Sequence, residues 1–399
     1  MNRRMFLKLT GSSVAATSVF PSALVGISAS EKYAELKNHS IDRCEIIKVD
    51  YRWPRFVGKN GRIGFHGQDK RSTILKLYTD KGAMGWGLTR PNAKELFSLL
   101  KGKKVSELIA PGKGISDVLD RRVDLAMHDL MGKILNEPVY KLIGGNGSKE
   151  NRLYSGMIYL DELNPGNETK GLDAIIENCE WDYNYGYRQF KVKIGRSGRW
   201  YPHDEGLKKD IEVIKLIHEA FKDRDIEILV DANDMYSLED TITFLKGIND
   251  IPLYWVEEPF IEELESGRKL KKWMMENGFE NTYYADGERN PDFDVCLQLG
   301  KEKKMDVFLP DIASYGFTAW LKLMPQLKEM NMLTSPHNWG KRLKTHYTAH
   351  FAAGVGNVCT IEGVTCESDE IDYGDYPIIN GKIKVSDAPG FGMKLLNEA

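Results

Sequence analysis

Two lysines two residues apart, Lys191 and Lys193 in the run QFKVKIG at 189–195, are the first pair in this chain with the spacing of chemistry. On a strand, alternate side chains share a face, so both ammonium groups point the same way and Val192 points the other. Crowding two like charges favours loss of a proton and predicts a lowered lysine pKa, which turns a cation into a general base. An isolated pair of this kind is usually a solvated strand edge, and the residues downstream decide otherwise. Three later apolar runs end in LVDAN, WVEEP and ADGE, offering Asp231, Glu257 and Glu288. Three carboxylates converging at one mouth repel unless a cation joins them, and oxygen donors without His or Cys select magnesium or a close substitute. Asn233 shares the face of Asp231 and could add an oxygen or orient a ligand. Asp286, two residues before Glu288, is an additional candidate ligand.

Three more residues complete the set: Asp311 in LPDIA, His337 in TSPHNWG and Glu362 in TIEG. A carboxylate one inter-strand spacing from an imidazole fixes its tautomer and raises its pKa, so Asp311 and His337 read as a pair. The other histidines, 39, 66, 128, 203, 218, 346 and 350, read as packed polar residues.

These side chains need a frame that gathers strand ends, and the second half of the chain has the rhythm for one. Strand-like runs recur at 153–159, 189–195, 226–233, 253–259, 282–288, 305–312, 332–338 and 358–363, separated by helical or polar stretches. Eight strands alternating with helices predict a closed parallel (β/α)8-type TIM barrel over 150–363, whose chemistry belongs at the C-terminal strand ends. With a metal on strands three to five, strand two brings Lys193 to one side and strand seven brings His337 to the other. Strand eight faces the metal with Glu362, and a substrate carboxylate on the metal presents its α-carbon between two bases.

Ahead of the barrel, residues 41–145 predict an α+β capping domain: strands over 43–87 with a turn at Asp80-Lys81-Gly82, then helical spacing over 92–136. The stretch 51–64, with Arg52, Trp53 and Arg55, is a candidate substrate lid. The closing segment 364–399, rich in Asp, Gly and Pro, is expected to fold back on the cap.

The 399 residues, 42% hydrophobic and 28% charged with a net charge of −3, describe a globular chain with no nucleic-acid surface. Residues 1–30 stand apart. Arg3-Arg4 with Phe6-Leu7-Lys8, followed by a weakly apolar Ser- and Ala-rich run, resembles a twin-arginine export signal. That predicts a periplasmic protein with no stable membrane insertion once the signal is removed. Five scattered cysteines form no CxxC pair and imply no zinc site.

From about residue 42 onward the chain resembles the enolase superfamily, and within it the mandelate racemase subgroup. The matching pieces are VDLAMHDLMGK and PVYKLIGG at the cap-to-barrel junction, then KVK, DAN, EEP, GE, PD and the strand-seven His, in that order. The resemblance implies one Mg2+ per active site on Asp231, Glu257 and Glu288, with Lys193 as one base and the Asp311–His337 pair as the other. Glu362 resembles the family's carboxyl group that hydrogen-bonds an enolate. The segment RSGRWYPHD at 196–204 is long for the family and is expected to extend over the site.

The implied activity is removal of the α-proton of a small-molecule carboxylate, with a sugar acid as the expected substrate class, and β-elimination of water to a 2-keto-3-deoxy acid. Racemisation, epimerisation or cycloisomerisation of a related acid is the alternative, and a periplasmic acid-sugar binding protein on the same scaffold is a third reading. Family members often assemble as dimers or octamers, so a homo-oligomer is expected.

Overall fold

Eight parallel strands close on themselves in the second half of the chain, in a computed structural model that describes residues 33–396. The twin-arginine-like segment lies outside the described residues. The first half forms a three-stranded antiparallel sheet: β1 (Ile41–Val57), β2 (Gly67–Thr79) and β3 (Met84–Leu88). β2 and β3 form the expected hairpin, with Gly82 at φ +81° in its turn. Helix α1 (Asp124–Leu135) lies directly on β3. A Cβ at Gly85 would come within 2.4 Å of Leu130, and one at Gly87 within 2.7 Å of Ala126 N, so only glycine permits this approach. The helical spacing expected from residue 92 is realised in pieces: short turns at Pro91–Leu96, Phe97–Leu100 and Val105–Leu108 precede α1. Gly102, Gly112 and Gly114, all at positive φ, break the run, and the Gly102 N–H bonds to Ile41 O instead.

The barrel strands are β4 (Glu150–Ile158), β5 (Gln189–Lys193), β6 (Glu227–Asp231), β7 (Leu253–Glu257), β8 (Tyr283–Asp286), β9 (Val307–Phe308), β10 (Leu333–Thr334) and β11 (Ile361–Gly363). Each pairs in parallel with the next from β4 to β10, β11 pairs with β4, and a Thr334↔Val358 bridge closes the ring. Helices α2 (Asp173–Tyr185), α3 (His203–Ala220), α4 (Leu238–Gly247), α5 (Leu264–Glu276), α6 (Phe293–Lys301), α7 (Phe317–Glu329) and α8 (Arg342–Val355) make the crossovers between them. After β11 the chain runs into the closing segment instead of an eighth such crossover.

Alternation sorts each strand into two sets. Leu229, Trp255, Ala285 and Val307 pack together inside the barrel with Tyr154, whereas Phe190, Val192, Val230, Val256 and Phe308 join the outer layer beneath the helices. Lys191, Lys193, Asp231 and Glu257 therefore face inward, above an apolar plug. Register sharpens this: Lys193 is opposite Asp231, and Asp231 is opposite Glu257, so the three occupy one level across β5, β6 and β7. The closing segment pairs Lys382–Lys384 with the start of β4 and bonds Glu367 to Arg52 of β1. Among the described residues no helix is long and apolar enough to cross a membrane.

Candidate active site and metal centre

The ends of β6, β7 and β8 bring one carboxylate oxygen each from Asp231, Glu257 and Glu288 to within 4.8 Å of one another. Asp231 and Glu257 are 0% and 1% exposed, so their charges need compensation from the site itself. Burial works against an ionised Asp231, but Lys193 and Lys191 hold its carboxyl below the usual range. Burial raises Glu257, and the neighbouring Asp231 adds to that while Lys191 opposes it. Glu257 Oε2 and Glu288 Oε2 are buried without a hydrogen-bond partner. Clustered carboxylates with unpartnered oxygens suit a hard divalent cation, and the donor set fits the expected metal. The Asn233 backbone N–H donates to Asp231 Oδ1 at 2.9 Å, which orients that ligand, and the Asn233 Oδ1 is buried without a partner.

Both lysines reach this level from β5. Lys193 Nζ donates to Asp231 Oδ2. Lys191, fully buried, sits among three carboxylates, with Nζ 2.9 Å from Glu257 Oε1, 3.1 Å from Glu362 Oε1 and 3.5 Å from Asp231 Oδ2. The expectation of a lowered pKa from mutual repulsion is corrected for Lys191. Burial does push it down, but Glu257, Glu362 and Asp231 outweigh burial and raise it well above the ordinary lysine value. Lys191 is a fixed cation, which suits it to orienting carboxylates and not to accepting protons.

His337 stands at the other end of the triad, its Nε2 3.2 Å from Glu288 Oε1 and 3.6 Å from Glu362 Oε2. Its Nδ1 is 3.0 Å from Asp311 Oδ2, the pairing expected from strands six and seven. Burial disfavours the imidazolium, but Glu288, Glu362 and Asp311 raise the pKa above its ordinary value. Glu362 was expected as an acidic donor. Burial alone would protonate it, yet Lys191, His337 and the Asn338 N–H, donating to Oε2 at 2.8 Å, keep it below the usual range. It is a carboxylate that joins the two halves of the site.

Several positioning groups carry no local sequence signal. Lys344, on the first turn of α8, donates to Asp311 Oδ2. Arg196, just beyond β5, is fully buried on Glu162 through paired contacts of 2.8 and 2.9 Å, reaches Asp210 at 2.7 Å, and donates to Lys193 O. Tyr236 OH completes that network on Asp210. This buried hub fixes the strand end that carries Lys193.

The candidate lid and the extra ligand are both corrected. β1 continues to Val57, so residues 51–57 are strand, while 58–64 are irregular as expected. Arg52 points to solvent beside Asp69 at 3.5 Å. Arg55 grips Asp182 with contacts of 2.8 and 2.9 Å and donates to Met157 O, which makes it a structural tie between cap and barrel. Trp53 is buried, its Nε1 donating to Gly340 O. Its ring is 5.1 Å from that of Trp339, which in turn is 4.7 Å from His66 and 5.5 Å from Tyr159. The Tyr159 ring centre lies 5.6 Å from Lys193 Nζ, so this aromatic group, including the histidine read as mere packing, borders the base. The 196–204 segment does meet the cap: Trp200 Nε1 donates to Asn60 O and Arg199 to Arg62 O, each at 2.7 Å. Asp286 does not join the triad, because β8 ends there and Gly287, at φ +101°, re-aims the chain before Glu288.

Comparison with known proteins places this arrangement. The profile of the enolase C-terminal domain-like family matches residues 174–399. Arabinonate dehydratase of Saccharolobus solfataricus is 26% identical over 307 residues, 75% of this chain and 76% of that protein. Galacturonate dehydratase from a Geobacillus species, solved with D-galacturonate and 5-keto-4-deoxy-D-galacturonate, is 29% identical with a TM-score of 0.84, covering 91% of this chain and 96% of that one. A mandelate racemase/muconate lactonizing protein from Geobacillus sp. Y412MC10, solved with magnesium and tartrate, is 28% identical with a TM-score of 0.84 and covers 91% and 94%.

Proposed function

This chain belongs to the enolase C-terminal domain-like family, in its mandelate racemase branch, and from that premise we propose that it is a magnesium-dependent dehydratase of a sugar acid. One observation carries the reading: two titratable bases contact opposite ends of one carboxylate triad, Lys193 on Asp231 and His337 on Glu288. Asp231, Glu257 and Glu288 would hold Mg2+, which supplies the positive charge that offsets the second negative charge of an enediolate.

The chain's own residues then divide the work. Lys193 removes the proton on the carbon next to the substrate carboxylate. Lys191 holds Glu257, Asp231 and Glu362 in place and adds positive potential beneath the developing dianion. His337, its Nδ1–H anchored on Asp311, donates its Nε2 proton to the β-hydroxyl as the C–O bond breaks and water leaves. The enol that remains takes a proton at the β-carbon and loses one from its hydroxyl, giving an α-keto, β-deoxy acid. The net reaction is R–CHOH–CHOH–COO− to R–CH2–CO–COO− plus H2O.

The substrate class is supported by the sugar-acid dehydratases among the relatives. The same two bases would instead epimerise the α-carbon if His337 returned a proton to the opposite face, and retention of the β-hydroxyl distinguishes that outcome. Incubating the magnesium-loaded protein with aldonic, aldaric and uronic acids and trapping α-keto acid tests the proposal. Keto acid from at least one sugar acid, abolished by chelation, is expected. Altered stereochemistry without keto acid would replace dehydration by epimerisation. We further propose that the protein works as a homo-oligomer in the periplasm.

A further inference from the structure

The strand ends that supply the first triad each supply a second acid. Asp234 follows β6, Glu258 follows β7 and Asp286 closes β8, and these three offer oxygens within 4.8 Å of one another. Tyr284, two residues before Asp286, packs in the outer layer beneath the helices, so Asp286 lies on the outward side of β8 while Asp231 and Glu257 face the barrel axis. Asp234 and Glu258 lie just past their strand ends with left-handed backbone, at φ +62° and +41°.

The cluster is enclosed: Glu258 is 2% exposed and Asp286 is 0% exposed. Its hydrogen bonds leave acceptor capacity unused. Asp286 takes the Tyr284 hydroxyl and the Gly287 N–H, each at 2.7 Å. Asp234 Oδ2 takes Arg62 Nη1 at 2.8 Å. Glu258, which offers an oxygen to the cluster, has a buried Oε2 with no partner at all. Among the described residues Arg62 is the one cation in an ion pair with these acids, leaving a formal charge of −2 when all are ionised. Buried carboxylates at this spacing repel, and an unpartnered one is costly to keep.

We propose that Asp234, Glu258 and Asp286 form a second site for a hard divalent cation, beside the first triad. An all-oxygen set with two uncompensated charges is the chemistry that takes Mg2+, Mn2+ or Ca2+. Arg62 belongs to the cap segment between β1 and β2, so an ion here ties that segment to the barrel through Asp234. The inference stands whether the enzyme dehydrates or epimerises.

The test uses the full chain, stripped by chelator and dialysed against Mn2+, with metal content by mass spectrometry and the electron paramagnetic resonance spectrum recorded on the same sample. Two Mn2+ per wild-type chain are expected, with a spectrum broadened by coupling between neighbouring ions. Asp286→Asn and Glu258→Gln should each retain one, with the spectrum of an isolated ion, and Asp286→Asn combined with Glu288→Gln should retain none. One Mn2+ in the wild type, unchanged by Asp286→Asn, would overturn the proposal and leave the outer acids sharing protons. Two uncoupled ions in the wild type would overturn it equally, placing the second elsewhere. The wild-type result decides even where a variant fails to fold.

Discussion

Lys193 and Asp231 face each other in register across β5 and β6, and the lysine Nζ donates directly to the Asp231 carboxylate. The proposed base and the first carboxylate of the triad thus share one level of the barrel, with Glu257 next to them in the same row. In the proposed reaction a substrate carboxylate held at the triad would place its α-carbon beside Lys193. His337 approaches from Glu288 at the far end, which gives the two proton-transfer groups separate approaches to one substrate.

The Asp311–His337 pair sets a pH dependence. Burial works against an ionised Asp311, yet Lys344 and His337 hold it well below the usual carboxylate range, so it is an anion throughout the working pH range. His337, raised above its ordinary value, keeps its proton to higher pH, and dehydration that needs that proton declines as pH rises through the raised value. Asp311→Asn removes one of the raising charges and should move the alkaline limb of kcat to lower pH. Lys344→Met leaves Asp311 to act on His337 alone and should move the limb up. Opposite shifts in the two pH–rate profiles check this.

Metal removal should abolish turnover and lower thermal stability together. A ligand that binds only the native state at a hundredfold excess over Kd adds about 2.7 kcal/mol. Titrating Mg2+ into the chelator-treated protein should raise Tm and restore activity. Glu288→Gln should weaken the activity response strongly, because it removes one of the three converging carboxylates.

Much of this is legible in the sequence, for a physical reason. Strand alternation and parallel register act together, so an acid at the end of one inward-facing strand lands beside an acid at the end of the next, and DAN, EEP and KVK announce themselves. His337 and Asp311 were readable because β9 and β10 are neighbours. What escaped depends on contacts distant in sequence or on a single dihedral. Lys344 reaches Asp311 from a helix, and Arg196 finds Glu162 34 residues away. Gly287 at positive φ separates Asp286 from Glu288, which period-two alternation alone had placed together. Arg55 read as a lid because nothing near it in sequence reveals Asp182.

Arg55 offers a test of that structural assignment. Its paired contacts with Asp182 are buried at 14% and 1% side-chain exposure, and Ser155 Oγ also donates to Asp182 at 2.6 Å. Removing one partner of such a pair strands a buried charge, at a cost of about 3–5 kcal/mol. Arg55→Met should lower the urea midpoint accordingly while leaving KM near the wild-type value. A raised KM at unchanged stability would return Arg55 to a substrate-binding role.

Export is tested at the N-terminus. A reporter fused behind residues 1–35 should reach the periplasm and should stay in the cytoplasm when Arg3→Lys and Arg4→Lys are combined. Export unaffected by that pair would remove the twin-arginine assignment.

The most direct measurement of the central claim is proton NMR of the magnesium-loaded enzyme in deuterium oxide, with a sugar acid that it turns over. The α-proton signal should vanish as a methylene appears beside a new keto group, with solvent deuterium at that carbon. His337→Asn should still exchange the α-proton but release little keto acid, and Lys193→Ala should lose both by roughly 10²–10⁴-fold. Keto acid formed at an undiminished rate by Lys193→Ala, or a wild-type reaction in which the α-proton survives, would contradict the account.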